Sequence, residues 1–386
     1  MIARQLETEL HKLLKEYPVV TLLGPRQAGK TTLARNSLNT YSYCNLEHPE
    51  TRQFAIDDPK AFLAQFKTNV ILDEIQRVPE LLSYIQVIVD ENQRNGQYVL
   101  TGSHQLSLRE AITQSLAGRT SILNLLPFSI SELSASDITF DSFEAYIYRG
   151  FLPRIYDQQQ RPTQAYSNYY QTYIERDVRQ LISLKDLSLF EKFMKLLAGR
   201  VGQLMDYSSL ANDVGVSAKT IRHWLSILEA SFIIYKLAPY FENFGKRVIK
   251  SPKYYFIDVG LLAFLLGIEK SAQISRDPLV GQMFENLIVV ECLKTRANLG
   301  LLPSLYFYRD SNGNEADIIF QRGRELTVIE VKSASTYKAS LLKGLKNITK
   351  LSPSMTQAYL IYTGEKLSFS NAIVALKYNQ VECVFT

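Results

Sequence analysis

The apolar and polar positions of this chain change their rhythm along its length. Val19-Val20-Thr21-Leu22-Leu23, Asn69-Val70-Ile71-Leu72 and Tyr98-Val99-Leu100-Thr101 are short, nearly continuous apolar runs that end in glycine or polar residues. Such runs predict strands buried on both faces, as in a parallel sheet covered by helices. Further on the period lengthens. Ser208–Val214 predicts a short helix capped by serine, Gly215-Val216-Ser217 a turn with glycine past the helix end, and Ala218–Phe232 a longer helix. Ile221, Leu225 and Leu228 form the apolar face of that second helix, with Trp224 beside it, and Ile233–Leu237 begins a following strand. Near the C-terminus, Gln282–Lys294 predicts a helix, Gly313–Phe320 a turn leading into a strand, and Leu326–Lys332 a second strand. Strand side chains alternate, so Glu330 and Lys332 share one face and Ile329 and Val331 the other.

The breaks between these stretches suggest domain limits. Strand and helix alternation gives way to a polar, Ser/Asp-rich stretch at Phe128–Ser142, and Arg149-Gly150-Phe151-Leu152-Pro153 is a breaker-rich link. Tyr166–Leu184 is an aromatic and charged helical pattern whose Glu175-Arg176-Asp177 reads best as a solvated face. The expected division is 1–135, 136–200, 201–268 and 269–386. Composition changes this picture little: of 386 residues 46% are hydrophobic and 21% charged, which is ordinary for a globular chain of several domains. No apolar run reaches the ~18 residues of a membrane span. Acids within the first ten residues argue against a secretory leader. Cys44, Cys292 and Cys383 are isolated, which suggests a reducing, cytoplasmic setting and offers neither a metal cluster nor a disulfide framework. The net charge of +5 permits nucleic-acid binding without demanding it.

Chemistry enters between the first strand and the helix-forming Leu33-Ala34-Arg35. Gly24-Pro25-Arg26-Gln27-Ala28-Gly29-Lys30-Thr31-Thr32 fits G-x-x-x-x-G-K-[ST], the Walker A pattern. Glycines at both ends let the backbone curl so that N–H groups face phosphate oxygens, and the helix start adds its positive dipole end. Lys30 is expected to neutralise the β- and γ-phosphates of ATP and Thr31 to ligate Mg²⁺. The second strand ends in Asp73-Glu74, as a Walker B strand does, with Asp73 expected to hold Mg²⁺ through water and Glu74 to polarise the attacking water. A strand followed by a helix cap would carry the same two acids. The third strand runs into Gly102-Ser103-His104, where Ser103, and after it His104, is the candidate for a sensor of the γ-phosphate; an ordinary turn is the alternative.

Gly24–Thr32, Val70-Ile71-Leu72-Asp73-Glu74-Ile75-Gln76, Leu100-Thr101-Gly102-Ser103 and Leu116-Ala117-Gly118-Arg119 resemble the prokaryotic AAA+-type ATPases that carry a conserved C-terminal domain of unknown function. The resemblance extends over nearly the whole chain, including Ala117–Leu133. It implies that Arg119 is an arginine finger or sensor, acting in cis or from a neighbouring subunit of a homo-oligomer. An arginine paired to a surface carboxylate is the other reading.

The remaining motifs bear on what the nucleotide would drive. The helical pair at 207–240 reads as a winged helix-turn-helix, which would meet DNA through Lys219, Thr220, Arg222 and His223, helped by Lys246, Arg247 and Lys250, or would serve as a scaffold. Asp317 on one strand, Glu330-x-Lys332 on the next and Glu285 on a preceding helix are similar to the PD-(D/E)XK nuclease core. That similarity implies Asp317 and Glu330 as Mg²⁺ ligands, Glu285 as their assistant and Lys332 as the residue that positions water. Structural acid–lysine bridges would leave the same string, and such a fold can persist without cleavage. The expected fold class is therefore α/β: a P-loop parallel sheet with flanking helices, a winged helix-turn-helix and a small PD-(D/E)XK-like α/β domain. The expected activity is Mg-ATP hydrolysis coupled to movement of the C-terminal domains, against the alternative of a slow nucleotide-gated switch with a non-cleaving interaction platform.

Overall fold

The computed structural model describes residues 2–103, 111–112, 114–173, 187–240, 250–310, 313–350, 352–369 and 373–385. His104, Glu175-Arg176-Asp177, Lys246 and Arg247 lie outside the described residues. The chain divides into two compact units, Met1–Phe128 with Ala230–Phe232 and Ala297–Leu301, and Ser129–Glu229 with Ile233–Arg296 and Leu302–Thr386.

The first unit is built on five parallel strands: β1 (Val19–Leu23), β2 (Ser42–Asn45), β3 (Val70–Asp73), β4 (Tyr98–Gly102) and β5 (Thr120–Asn124), in the order β2-β3-β4-β1-β5. The three apolar runs become β1, β3 and β4, each buried at every position. Helix Leu6–Glu16 places Leu6, Leu10 and Leu14 in one core with Val20, Leu22, Ile71 and Val99. Because all five strands point the same way, their C-terminal ends gather at one edge, where ligands meet open α/β sheets. Gly24, Asp73 and Ser103 follow or end β1, β3 and β4 at that edge.

Gly24 has a backbone reason to be glycine. Its φ is +155°, and a Cβ there would stand 2.0 Å from the carbonyl oxygen of Leu125. Arg4 braces the loop from behind: Nη1 donates to the Ala28 carbonyl at 2.7 Å and Nη2 to that of Leu126 at 2.6 Å.

The second unit holds an eight-stranded mixed sheet. Its strands are β6 (Ile234–Pro239), β7 (Lys253–Phe256), β8 (Leu305–Arg309), β9 (Glu315–Arg322), β10 (Glu325–Lys332), β11 (Met355–Tyr362), β12 (Leu367–Ser368) and β13 (Ile373–Lys377), ordered β12-β13-β11-β10-β9-β8-β6-β7. β9 and β10 form an antiparallel hairpin, and β10 and β11 run parallel. The expected helix at Gln282–Lys294 lies inside a longer one, Val280–Asn298. Met283, Phe284, Leu287, Ile288 and Val289 are fully buried on it, so its apolar surface runs well round the helix rather than along one stripe.

Helices Tyr207–Val214 and Ala218–Ala230 stand where the pattern placed them, with Gly215 at φ +94° closing the first. Two details differ. The first helix is capped by Asp206, whose carboxylate accepts from the Ser208 and Ser209 N–H groups at 2.9 and 3.0 Å, rather than by serine. The second ends at Ala230, and the chain then enters β6, which pairs antiparallel with β7. On these cap contacts Asp206→Ala should cost about 1 kcal/mol in urea unfolding, whereas Ser208→Ala should stay within about 0.5 kcal/mol. The reverse ranking would return the cap to serine.

Candidate functional site

The C-terminal edge of the parallel sheet brings the Walker residues together. Helix Lys30–Ser37 begins directly after Gly29. Lys30 is 5% exposed and its Nζ donates to the carbonyls of Gly24 at 3.0 Å and Pro25 at 2.8 Å. Burial lowers its ammonium to about 8; the charges of Glu74 and Asp73 oppose that shift and Arg26 adds to it. Arg26 itself lies 3.8 Å from Glu47.

Asp73 is the hub. It is 4% exposed and accepts from the Thr31 hydroxyl at 2.9 and 3.0 Å, from the Tyr43 hydroxyl at 2.8 Å and from the Thr101 hydroxyl. Helix Lys30–Ser37, β2, β3 and β4 thus meet on one carboxylate. Thr101 also accepts from the Glu74 N–H at 3.1 Å, which helps hold Glu74 in the left-handed backbone region at φ +60°. The Glu74 carboxylate accepts from Ser103 Oγ at 3.2 Å and from Gln76 Nε2, and Gln76 Nε2 reaches Ser103 Oγ at 3.2 Å.

The structure therefore gathers Lys30, Thr31, Asp73, Glu74 and Ser103. It does not bring Arg119 to them. Arg119 immediately precedes β5, whose first residue pairs with Val19 at the start of β1, so it lies at the opposite end of the sheet from Gly24. Its guanidinium makes two bonds to Asp90, at 2.6 and 2.8 Å. The expectation of an arginine finger in cis is corrected by this position: five residues of parallel strand separate it from the P-loop. Sequence reasoning missed Tyr43, Thr101 and Gln76 as site residues. Thr101 had a visible signal, a hydroxyl just before the strand-end glycine; Tyr43 had none, because its place depends on β2 pairing with β3.

A second cluster forms in the other unit. Glu285 comes from helix Val280–Asn298, Glu315 and Asp317 from one face of β9, and Glu330 and Lys332 from one face of β10. Lys332 Nζ lies 2.6 Å from Glu330 and 3.7 Å from Asp317, and Asp317 accepts from the Val331 N–H at 2.8 Å. The sequence missed β7. Lys253, 3% exposed, lies 3.1 Å from Glu285 and 3.3 Å from Glu315, and Tyr255 donates its hydroxyl to Glu285 at 2.5 Å. The available signal was a lysine opening the otherwise aromatic Tyr254-Tyr255-Phe256, two residues from a tyrosine on the same strand face.

Among the described residues no three His, Cys, Asp or Glu side chains stand together so as to hold a metal ion. Lys332 lies against both expected Mg²⁺ ligands, Asp317 and Glu330, and a main-chain N–H takes an Asp317 oxygen.

Burial, reinforced by the charge of Asp317, raises Glu330 to about 7 and Glu285 to about 6; Lys332 and Lys253 respectively oppose the shifts. Unfolded, Glu330 returns to the ordinary 4.5, so between about 4.5 and about 7 the folded chain holds the extra proton and stability falls as pH rises. Glu330→Gln should therefore gain on the wild type as pH rises from about 4.5 to about 7 in urea midpoints. A pH-independent difference would remove the burial account.

Residues 16–134 match the family described as an AAA domain, and residues 140–272 and 280–381 match two domains of unknown function, DUF8612 and DUF4143. Two uncharacterized proteins, of Mycobacterium tuberculosis and Mycobacterium bovis, are each 30% identical over 385 residues, covering 98% of this chain and 84% of theirs. The Walker-type ATPase of Pyrococcus abyssi is 16% identical with a TM-score of 0.47, covering 69% of this chain and 96% of that one. No described helix is long and apolar enough to cross a membrane. The chain belongs to the same family as the two mycobacterial proteins, and its first unit carries an AAA-type P-loop domain.

Proposed function

We propose that this protein is a Mg-ATP-hydrolysing AAA-type ATPase whose turnover changes the conformation of its C-terminal unit. The observation that carries this reading is the meeting of Thr31 with Asp73 beside Lys30, one residue before a carboxylate held by Ser103. A threonine hydroxyl beside a buried carboxylate is an all-oxygen donor set of the kind Mg²⁺ takes with nucleotide phosphates. Bound there, the ion would offset charge on the β- and γ-phosphates. Lys30 would exchange the Gly24 and Pro25 carbonyls for phosphate oxygens, keeping its charge because the phosphates replace weaker acceptors. Glu74, kept in place by Thr101, Ser103 and Gln76, would accept a hydrogen bond from the attacking water and orient it.

For the helical pair and the β6–β7 hairpin, we keep the winged helix-turn-helix reading. Lys219, Arg222 and His223 are exposed at the start of the second helix, which suits a phosphate backbone. Thr220 is engaged by the Ser217 hydroxyl at 2.8 Å, and Arg222 lies over the Tyr207 ring at 4.5 Å, so the reach to DNA falls mainly to Lys219 and His223. The convergence of Glu285, Asp317, Glu330 and Lys332 supports a PD-(D/E)XK-like fold for the C-terminal sheet. The ammonium groups on its carboxylates favour the second reading for that part, a platform that grips without cleaving.

Phosphate release with Mg-ATP, measured with and without double-stranded DNA, tests this. Glu74→Gln should keep nucleotide binding and lower turnover by about 100-fold or more. Lys30→Ala should lose both binding and turnover, and chelation of Mg²⁺ should stop release in the wild type. Phosphate release that survives Glu74→Gln and Lys30→Ala would sink the ATPase reading; unchanged rates with DNA would direct the search to a protein partner.

A further inference from the structure

We infer that Lys253 is the resident cation of the C-terminal acidic cluster and takes the place that a divalent ion would need there. The inference rests on the PD-(D/E)XK-like reading of that cluster. Its starting point is the mismatch between the fold's expected metal and the residues present.

The cluster contains four carboxylates, Glu285, Glu315, Asp317 and Glu330, and two ammonium groups, Lys253 and Lys332. Lys332 belongs to the Glu330-x-Lys332 string and serves Glu330 and Asp317. Lys253 comes from a different strand and has no place in that string. It joins the helix acid Glu285 to the β9 acid Glu315, the two carboxylates that Lys332 leaves over. It is 3% exposed, and its Nζ lies over the Phe307 ring, 5.5 Å from the centroid.

At the helix acid the two occupants would compete for one oxygen. A divalent ion stands about 2.1 Å from a carboxylate oxygen that it ligates. Glu285 Oε1 already receives Lys253 Nζ at 3.1 Å and the Tyr255 hydroxyl at 2.5 Å. An ion on that oxygen would meet both donors at contact range, with like charge on one of them. Lys253 is not an idle neighbour that loses its proton to make room. Burial alone would lower its ammonium, but Glu285, Asp317 and Glu315 together more than offset this and raise it. With the Arg309 guanidinium 3.6 Å from Glu315, three cationic side chains face the four carboxylates, and the excess of acid would draw a cation if Lys253 were gone.

The test is titration of the nucleotide-free full chain with Mn²⁺, read by electron paramagnetic resonance, for the wild type, Lys253→Met, Asp317→Asn and the Lys253→Met/Asp317→Asn pair. The expected result is a Mn²⁺ site in Lys253→Met at least about tenfold tighter than any in the wild type, lost again when Asp317→Asn is added. If wild type and Lys253→Met bind equally, and Asp317→Asn removes the site from both, Lys253 excludes nothing and the inference falls while the nuclease-like reading stands. If neither binds although Lys253→Met melts like the wild type, both the inference and that reading fall. Lys253→Gln replaces Lys253→Met should the latter unfold. Should both unfold, the wild type decides alone: a Mn²⁺ site lost with Asp317→Asn overturns the inference, and its absence supports it.

Discussion

A charge taken out of water must find partners, and this constraint organises both halves of the chain. Asp73 is the clearest case. Its carboxylate is almost wholly buried, and three hydroxyls, from Thr31, Tyr43 and Thr101, turn toward it. None of the three is close to Asp73 in sequence. Each hydrogen bond to a buried carboxylate is stronger than one between neutral groups, and each broken one would leave an uncompensated charge. The sheet order that sets β3 beside β2 and β4 is thus coupled to the chemistry at its edge.

The second unit meets the same constraint with a different kind of partner. Four carboxylates gather beside helix Val280–Asn298 and the β9–β10 hairpin, and lysines answer them. The distinction matters chemically. A hydroxyl that donates to a carboxylate can turn and offer its lone pair to a cation, so the Asp73 site stays open to one. An ammonium has no lone pair to offer and repels the ion outright. The proposed difference between the two acidic sites toward divalent ions thus lies in their donors, not their acids.

The legible part of the nucleotide site was the part written in consecutive residues. Gly24–Thr32 and Asp73-Glu74 each specify a short backbone path, and Gly24 is constrained by a carbonyl 2.0 Å from where a Cβ would sit. Ser103 was legible because it ends an apolar strand. The stretch around Arg119 resembles a functional motif, but the parallel register carries the residue to the far end of β5, away from the P-loop of its own chain. Asp206 caps the helix in place of the adjacent serines, because a carboxylate just before a helix is as good a cap as a hydroxyl.

By itself the sequence determined the local elements and the identity of the chemical groups: the P-loop, the acidic strand end, the paired helices around Gly215, and the alternation that sets Glu330 and Lys332 on one face. These follow from steric rules and short periodicities that act within a few residues. Tertiary structure alone decided which groups share a charge. Tyr43 reached Asp73 through a β2–β3 pairing, and Lys253 reached Glu285 and Glu315 from a strand with no chemical motif of its own. Electrostatic partnership depends on distance in space and on exclusion of water, and neither quantity is carried by spacing along the chain.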